Sequence, residues 1–140
     1  MPKTRLLLSM VATVMAGLFL VTSCFSQGSS VDFYDAGAEN FSVSGEQMAQ
    51  YVLYRFETSG AAHTFALPSA ADLMKQIDSP TVGRMFMMAV VADGVNPVMI
   101  TGGEGMVIKA SAAEVAGNSA QNLYFVVTNT SSGTQSITVY

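Results

Sequence analysis

Hydrophobic residues are distributed in two ways along this chain. Between Leu6 and Val21 they run on almost without a break. From Val31 onward they come in short runs separated by Gly, Ser, Asn, Asp and Pro. Short runs bounded by turn residues predict strands. Gln47 to Phe56 alternates and carries Tyr51, Val52, Leu53, Tyr54 and Phe56, which reads as a strand. His63 to Leu67 reads as another, ended by Pro68. Ser69 to Ile77 predicts a helix, with Ser69 as cap, Asp72 in the first turn and Leu73, Met74 and Ile77 on one face. Met85 to Ala92 is continuously apolar and predicts a strand buried on both faces. Asp93-Gly94 and Asn118-Ser119 mark turns. Val98–Thr101 and Met106–Ala110 flank Gly102-Gly103-Glu104-Gly105 as a hairpin, and Leu123–Thr128 and Ser136–Tyr140 flank Asn129 to Gly133 as a second. Roughly seven short strands at about 8–12-residue spacing predict a mainly β fold: an antiparallel β-sandwich or a jelly-roll-like domain with one short helix. No internal repeat stands out.

The apolar opening carries Lys3 and Arg5 ahead of the run Leu6 to Val21, which is the layout of an export signal. As a helix, that run is about 24 Å long, short of the ~30 Å hydrocarbon core of a bilayer. It ends in Val21-Thr22-Ser23-Cys24, a branched apolar residue, two small residues and a cysteine. This resembles the lipobox of bacterial lipoproteins. The resemblance implies cleavage between Ser23 and Cys24 and fatty acyl chains, such as palmitate, on Cys24. Val21 and Ser23 depart from the family's preferred Leu and Gly or Ala. An ordinary signal peptide cut elsewhere and an uncleaved anchor helix remain as alternatives. Phe25 stands where an Asp commonly retains such proteins at the inner membrane, which favours the outer membrane in a Gram-negative host. The implied organisation is a signal peptide over 1–23, a lipidated N-terminus and flexible tether over 24–40, and a β domain over 41–140. Within the tether, Ser26 to Ser30 is small and polar, and Val31 to Asn40, with Asp32, Asp35, Gly37 and Glu39, reads as irregular.

Cleavage would leave 117 of the 140 residues, enough for one core of ordinary size. That part holds Arg55, Lys75, Arg84 and Lys109 against ten acids, a formal charge of −6. Phosphate backbones and anionic lipid surfaces are bound by clustered Lys and Arg, which this stretch lacks. With one cysteine in the whole chain, no internal disulfide can form.

A second resemblance lies between His63 and Tyr140. Leu67-Pro68-Ser69-Ala70-Ala71-Asp72-Leu73, Pro80-Thr81-Val82-Gly83, Val126 to Gly133 and Ile137-Thr138-Val139-Tyr140 are similar to a β-rich module of fibre, tail and other virion structural proteins of phages and large DNA viruses. It implies assembly or surface display, often as a homo-oligomer, and no catalytic residues. A lipobox departs from the virion setting, so a prophage product, a cellular relative and coincidence all stay open.

The residues able to do chemistry are few. His63 is the only imidazole, and no Gly-x-Ser-x-Gly elbow accompanies it. It reads as a strand-start histidine at a surface or turn. One histidine cannot supply a zinc site within one protomer. Asp32, Asp35 and Glu39 offer oxygens to calcium but miss the EF-hand spacing. Met85, Met87 and Met88 offer thioethers to Cu(I), yet methionine also fills cores well, and Met48, Met74, Met99 and Met106 point to a generally Met-rich core or interface. The Gly102–Gly105 glycines lack the Gly-Lys-Ser/Thr of a phosphate loop and suit a turn. Tyr51, Tyr54, Tyr124 and Tyr140 suggest a carbohydrate platform only weakly, because the chain has no tryptophan.

The sequence therefore leads to a non-catalytic, lipid-anchored envelope or surface protein with a structural or assembly role and a self-associating β domain. It implies no cofactor, metal site, nucleic-acid partner or identified small-molecule substrate. The alternative is an envelope binding module for a small ligand, glycan or metal ion.

Overall fold

The computed structural model describes residues 32–140. Cys24, the cleavage position and the Ser26–Ser30 tether lie outside the described residues. The described part is one compact unit, Asp32–Tyr140. Its strands are β1 (Phe33–Gly37), β2 (Phe41–Ser42), β3 (Leu53–Glu57), β4 (His63–Ala66), β5 (Met85–Asp93), β6 (Val98–Thr101), β7 (Met106–Ile108), β8 (Glu114–Val115), β9 (Ser119–Asn129) and β10 (Ser136–Val139). Two short helices, α1 (Gly45–Gln50) and α2 (Ala70–Met74), and a 3-10 turn (Ala110–Ala112) complete it.

The strands form a six-stranded sheet, β1-β3-β5-β9-β10-β7, and a four-stranded sheet, β2-β4-β6-β8. The mainly β, two-sheet fold is the one the sequence implies. Strand direction is mixed, however. Up to β9 the chain changes sheet at every strand. It therefore winds, and each new strand of the first three turns lies parallel to the one before: β1 with β3 and β5, and β2 with β4 and β6. A strand that returns to its own sheet after a crossover meets its neighbour in parallel. β8 and β9 then close the coil by pairing antiparallel with β6 and β5, and β10 folds back on β9 as the expected hairpin.

The helices sit at equivalent corners of successive turns. α1 joins β2 to β3, and α2 joins β4 to β5. They approach so closely that a Cβ on Gly45 would lie 2.7 Å from the Asp72 carbonyl oxygen. Each helix starts on a serine cap. Gln47 N donates to Ser44 Oγ at 3.1 Å while Ser44 N donates to Gln47 Oε1 at 3.0 Å, and Asp72 N donates to Ser69 Oγ at 3.1 Å. The Lys75 ammonium and the Ser69 hydroxyl, both bonded to its carboxylate, hold Asp72 below the usual carboxyl range.

Between the sheets, register partners stack into ladders. Tyr34 lies beside Tyr54 in the larger sheet, and Phe41 beside Phe65 in the smaller. Tyr54 and Phe65 meet across the interior with ring centroids 4.9 Å apart. Phe86 and Phe125, opposite each other on β5 and β9, stack at 4.9 Å and 8°. Tyr54, Phe56, Phe65, Phe125 and Leu123 are wholly buried, and each such side chain is stabilised by roughly 2–3 kcal/mol of apolar transfer.

Four expectations need correction. Phe33–Gly37 is a strand, β1, and the folded unit begins at Asp32 instead of 41. Its acids and glycine hid the alternation, because Asp35 points outward to Arg55 and Gly37 turns the chain at φ +66°. Gly45–Gln50 is a helix, so Gln47 to Gln50 leave the strand expected over Gln47 to Phe56, since the reciprocal Ser44–Gln47 cap outweighs the apolar alternation. Gly102–Gly105 is no hairpin, for β6 and β7 belong to different sheets. Here Gly105 takes φ +77°, and a Cβ on it would lie 2.3 Å from the Gln135 carbonyl oxygen. Finally, β5 is buried on one face only.

The Tyr54 and Thr58 hydroxyls are buried with no hydrogen-bond partner among the described residues. Burial, reinforced by Tyr51 and Tyr34, pushes the Tyr54 phenol well above its ordinary value. The folded state therefore favours the neutral phenol, and that contribution is complete below about pH 10 and declines as pH rises beyond it. Tyr54→Phe is expected to raise stability at neutral pH by about 1 kcal/mol, since it removes an unpaired hydroxyl, and to flatten the alkaline loss. Urea titrations at pH 7 and 10.5 check both effects.

Candidate functional site

Side chains alternate across a strand, so the inward ladders fix what faces out. On the four-stranded sheet, the outward positions are Ser42, Ala66 and Thr101 in one row and Thr64, Met99 and Glu114 in the next. That face is mostly polar or small, as expected for a wet surface. The six-stranded sheet differs. Its outward rows read Val107-Thr138-Val126-Met85, then Tyr140-Tyr124-Met87, then Asn122-Ala89-Leu53-Phe33, then Ala120-Val91-Arg55-Asp35. Apart from Thr138 and Asn122, the first three rows are built of aromatic, aliphatic and thioether groups.

Several of these groups are in solvent, whereas Leu53, Ala89 and Val126 are half-buried. Met85 is 61% exposed, Met87 43%, Phe33 47%, Tyr124 40% and Tyr140 48%. The three rows hold eleven positions, each about 4.8 Å across the strands by about 6.6 Å along them, on the order of 350 Å². The largest apolar patch on a typical monomer is about 300–600 Å² and is often functional.

Charge borders the patch at one end. Arg55 on β3 donates from Nη1 to Asp35 Oδ2 on β1 at 3.1 Å and from Nε to Asp93 Oδ2 on β5 at 2.9 Å, and Nη2 also pairs with Asp93. Hydrogen bonding to Asp93, with the two negative charges, raises the guanidinium above its ordinary value. Glu57 turns away to accept from Ser59 N at 2.9 Å and is held below its ordinary value by the Ser59 bonds. Arg55 thus ties three parallel strands together at the rim and is neutralised locally, so it does not present a free cation.

The other candidate residues are scattered. His63 begins β4 as expected but is buried, its side chain in the inward row beside Val98 and Val115. Asp35 is held by Arg55, and no three His, Cys, Asp or Glu side chains among the described residues are grouped to hold a metal ion. Met88 packs in the core while Met85 and Met87 face out, so core packing explains only one of the three. Tyr51, Tyr54, Tyr124 and Tyr140 share no platform. Tyr54 is interior, Tyr51 packs against it, and Tyr124 and Tyr140 lie opposite each other on the outer face. Two adjoining grooves beside α2, about 140 and 210 Å³, share Ala71 and Gln135 and are small for a ligand site. Sequence reasoning missed Phe33 and Val107 as exposed, and Leu53 and Val126 as half-exposed, on this outer face. The signal available was the unbroken run Met85–Ala92, which marks a strand apolar on both faces.

Arg55→Gln removes a rim ion pair that is partly exposed. It is expected to cost less than about 1 kcal/mol, with the loss shrinking in high salt, as read by urea titration at low and high ionic strength. No protein-family model, no curated protein and no solved structure matches the chain.

Proposed function

We propose that this protein is a lipid-anchored, non-catalytic structural or assembly component of the cell envelope, and that it self-associates through the outer face of its six-stranded sheet. One observation carries the second half: the outer side of that sheet presents Phe33, Met85, Met87, Val107, Tyr124 and Tyr140, and among the described residues nothing covers them. The occupant that fits is a second copy. The face is broad and lacks a net charge that would select a partner of opposite sign. Sheet faces pack on sheet faces at about 10 Å, with side chains interleaved. An area on the order of 350 Å² is somewhat under half of the roughly 800 Å² each partner contributes to a stable interface, and the surrounding rim would supply the rest.

Lipidation at Cys24, outer-membrane placement in a Gram-negative host and assembly belong together in this proposal. Acyl chains bury many CH₂ groups at about 0.8 kcal/mol each, which holds the domain at the bilayer. No helix among the described residues is long and apolar enough to cross one. Confinement to a surface raises the effective concentration of copies, so a modest face is enough to associate.

Cys24→Ser is expected to leave the chain unprocessed and free of added lipid, read by intact mass of membrane-extracted protein. Wild-type maturation and partitioning of that variant would overturn the anchor. Tyr124→Glu, in the middle of the outer face, is expected to reduce amine cross-linked dimers on vesicles at least tenfold, because it buries an unpaired charge. Met99→Glu on the opposite outer face is expected to leave them unchanged. Equal cross-linking in both variants would contradict the assignment of the interface.

A further inference from the structure

Two of the side chains on the outer face can be changed chemically without a catalyst. Met85 and Met87 lie two residues apart on β5 and point the same way. Met85 is opposite Val126, and Met87 is opposite Tyr124. Both thioethers are in solvent, whereas Met88 and Met74 are only 2% and 6% exposed. Met99 is 40% exposed, nearly the value of Met87, but it stands on the outer face of the other sheet.

We propose that Met85 and Met87 form a paired oxidation site at which peroxides switch off self-association; this rests on the self-association proposed above. A thioether sulfur donates a lone pair to one peroxide oxygen. The O–O bond breaks, an S–O bond forms, and the other oxygen leaves as water after proton transfer. Sulfur loses two electrons and the peroxide gains them, and the product is methionine sulfoxide. The sulfoxide is polar and a hydrogen-bond acceptor. Pressed against Val126, Tyr124 or an apolar face of a second copy, it would find few donors, and an unpaired buried polar group weakens a contact about tenfold or more. Two on one strand put that penalty in the middle of the patch.

Thermodynamic linkage adds a second property. If only the free face is open to peroxide, association protects the two methionines, and oxidation traps the dissociated form. The exposed Met99 has no such protection, which makes it an internal reference within the same chain.

The test uses the full chain reconstituted in phosphatidylcholine vesicles, treated with hydrogen peroxide, then read in parallel by amine cross-linking and by peptide-resolved mass spectrometry. Three proteins are compared: wild type, Met85→Leu/Met87→Leu and Met99→Leu. Peroxide is expected to reduce cross-linked dimers at least tenfold in wild type and in Met99→Leu, and to leave Met85→Leu/Met87→Leu associated. Oxidation at Met85 and Met87, relative to Met99, is expected to slow as the protein-to-lipid ratio rises. Wild type that stays cross-linked with both sulfoxides in place would overturn the switch while leaving self-association standing. Equal dissociation of the double variant would overturn it too. Wild type that shows no dimer before peroxide would overturn self-association itself, and the switch with it.

Discussion

A strand has two faces, and in this domain the same strands must satisfy both. The inward positions of β3, β5 and β9 carry Tyr54, Phe56, Met88, Val90, Leu123 and Phe125, and they close the apolar interior against the four-stranded sheet. The outward positions of β5 and β9, with Leu53 on β3, are also largely apolar, interrupted by Asn122, Thr128 and Asp93. Period-two geometry allows no third side to which these residues could be moved. One face is therefore consumed by folding, and the other is left as the property of the surface. The winding of the chain follows from the same demand. By changing sheet at each step up to β9, every turn adds one rung to each inward ladder, and Tyr34-Tyr54 and Phe41-Phe65 grow together.

This arrangement concentrates chemistry at the rims and leaves the faces plain. Arg55 spends its donors on Asp35 and Asp93, so three parallel strands are held in register at the end where their charged residues gather. The helix caps do the same at the corners, where Ser44 and Ser69 satisfy the first turns of helices too short to be stable alone. What remains between is a smooth apolar sheet with no convergent polar groups. Such a surface is suited to packing, and the proposed membrane tether would bring like surfaces together.

Much of the fold was legible because strand signals are local. His63, Pro68, the Ser69 cap and the Asn129–Gly133 turn each mark an element where it occurs, and β4, α2, β9 and β10 follow. The mixed direction of the strands was not legible, since parallel pairing is decided by which sheet the chain enters after a crossover, and no single residue reports it. The Gly102–Gly105 segment shows the limit well. Its glycines announce a turn but cannot say whether the next strand returns to β6 or leaves for the other sheet. α1 was obscured in a different way, because Met48 and Tyr51 fit a helix and Tyr51-Val52-Leu53 fits a strand, and only the reciprocal cap of Ser44 and Gln47 decides between them. The outer face was half visible. The run Met85–Ala92 did say that both sides of β5 are apolar, but a sequence cannot distinguish burial inside one protomer from burial against another.

The central claim, that the outer face of the six-stranded sheet is covered by a second copy, is tested most directly by hydroxyl-radical footprinting of the full chain on vesicles over a range of protein-to-lipid ratios. Self-association predicts that labelling at Phe33, Tyr124 and Tyr140 falls as copies crowd together, while labelling at Met99 on the opposite face stays constant. Labelling at those three aromatic residues that stays as high at crowding as at dilution would contradict it.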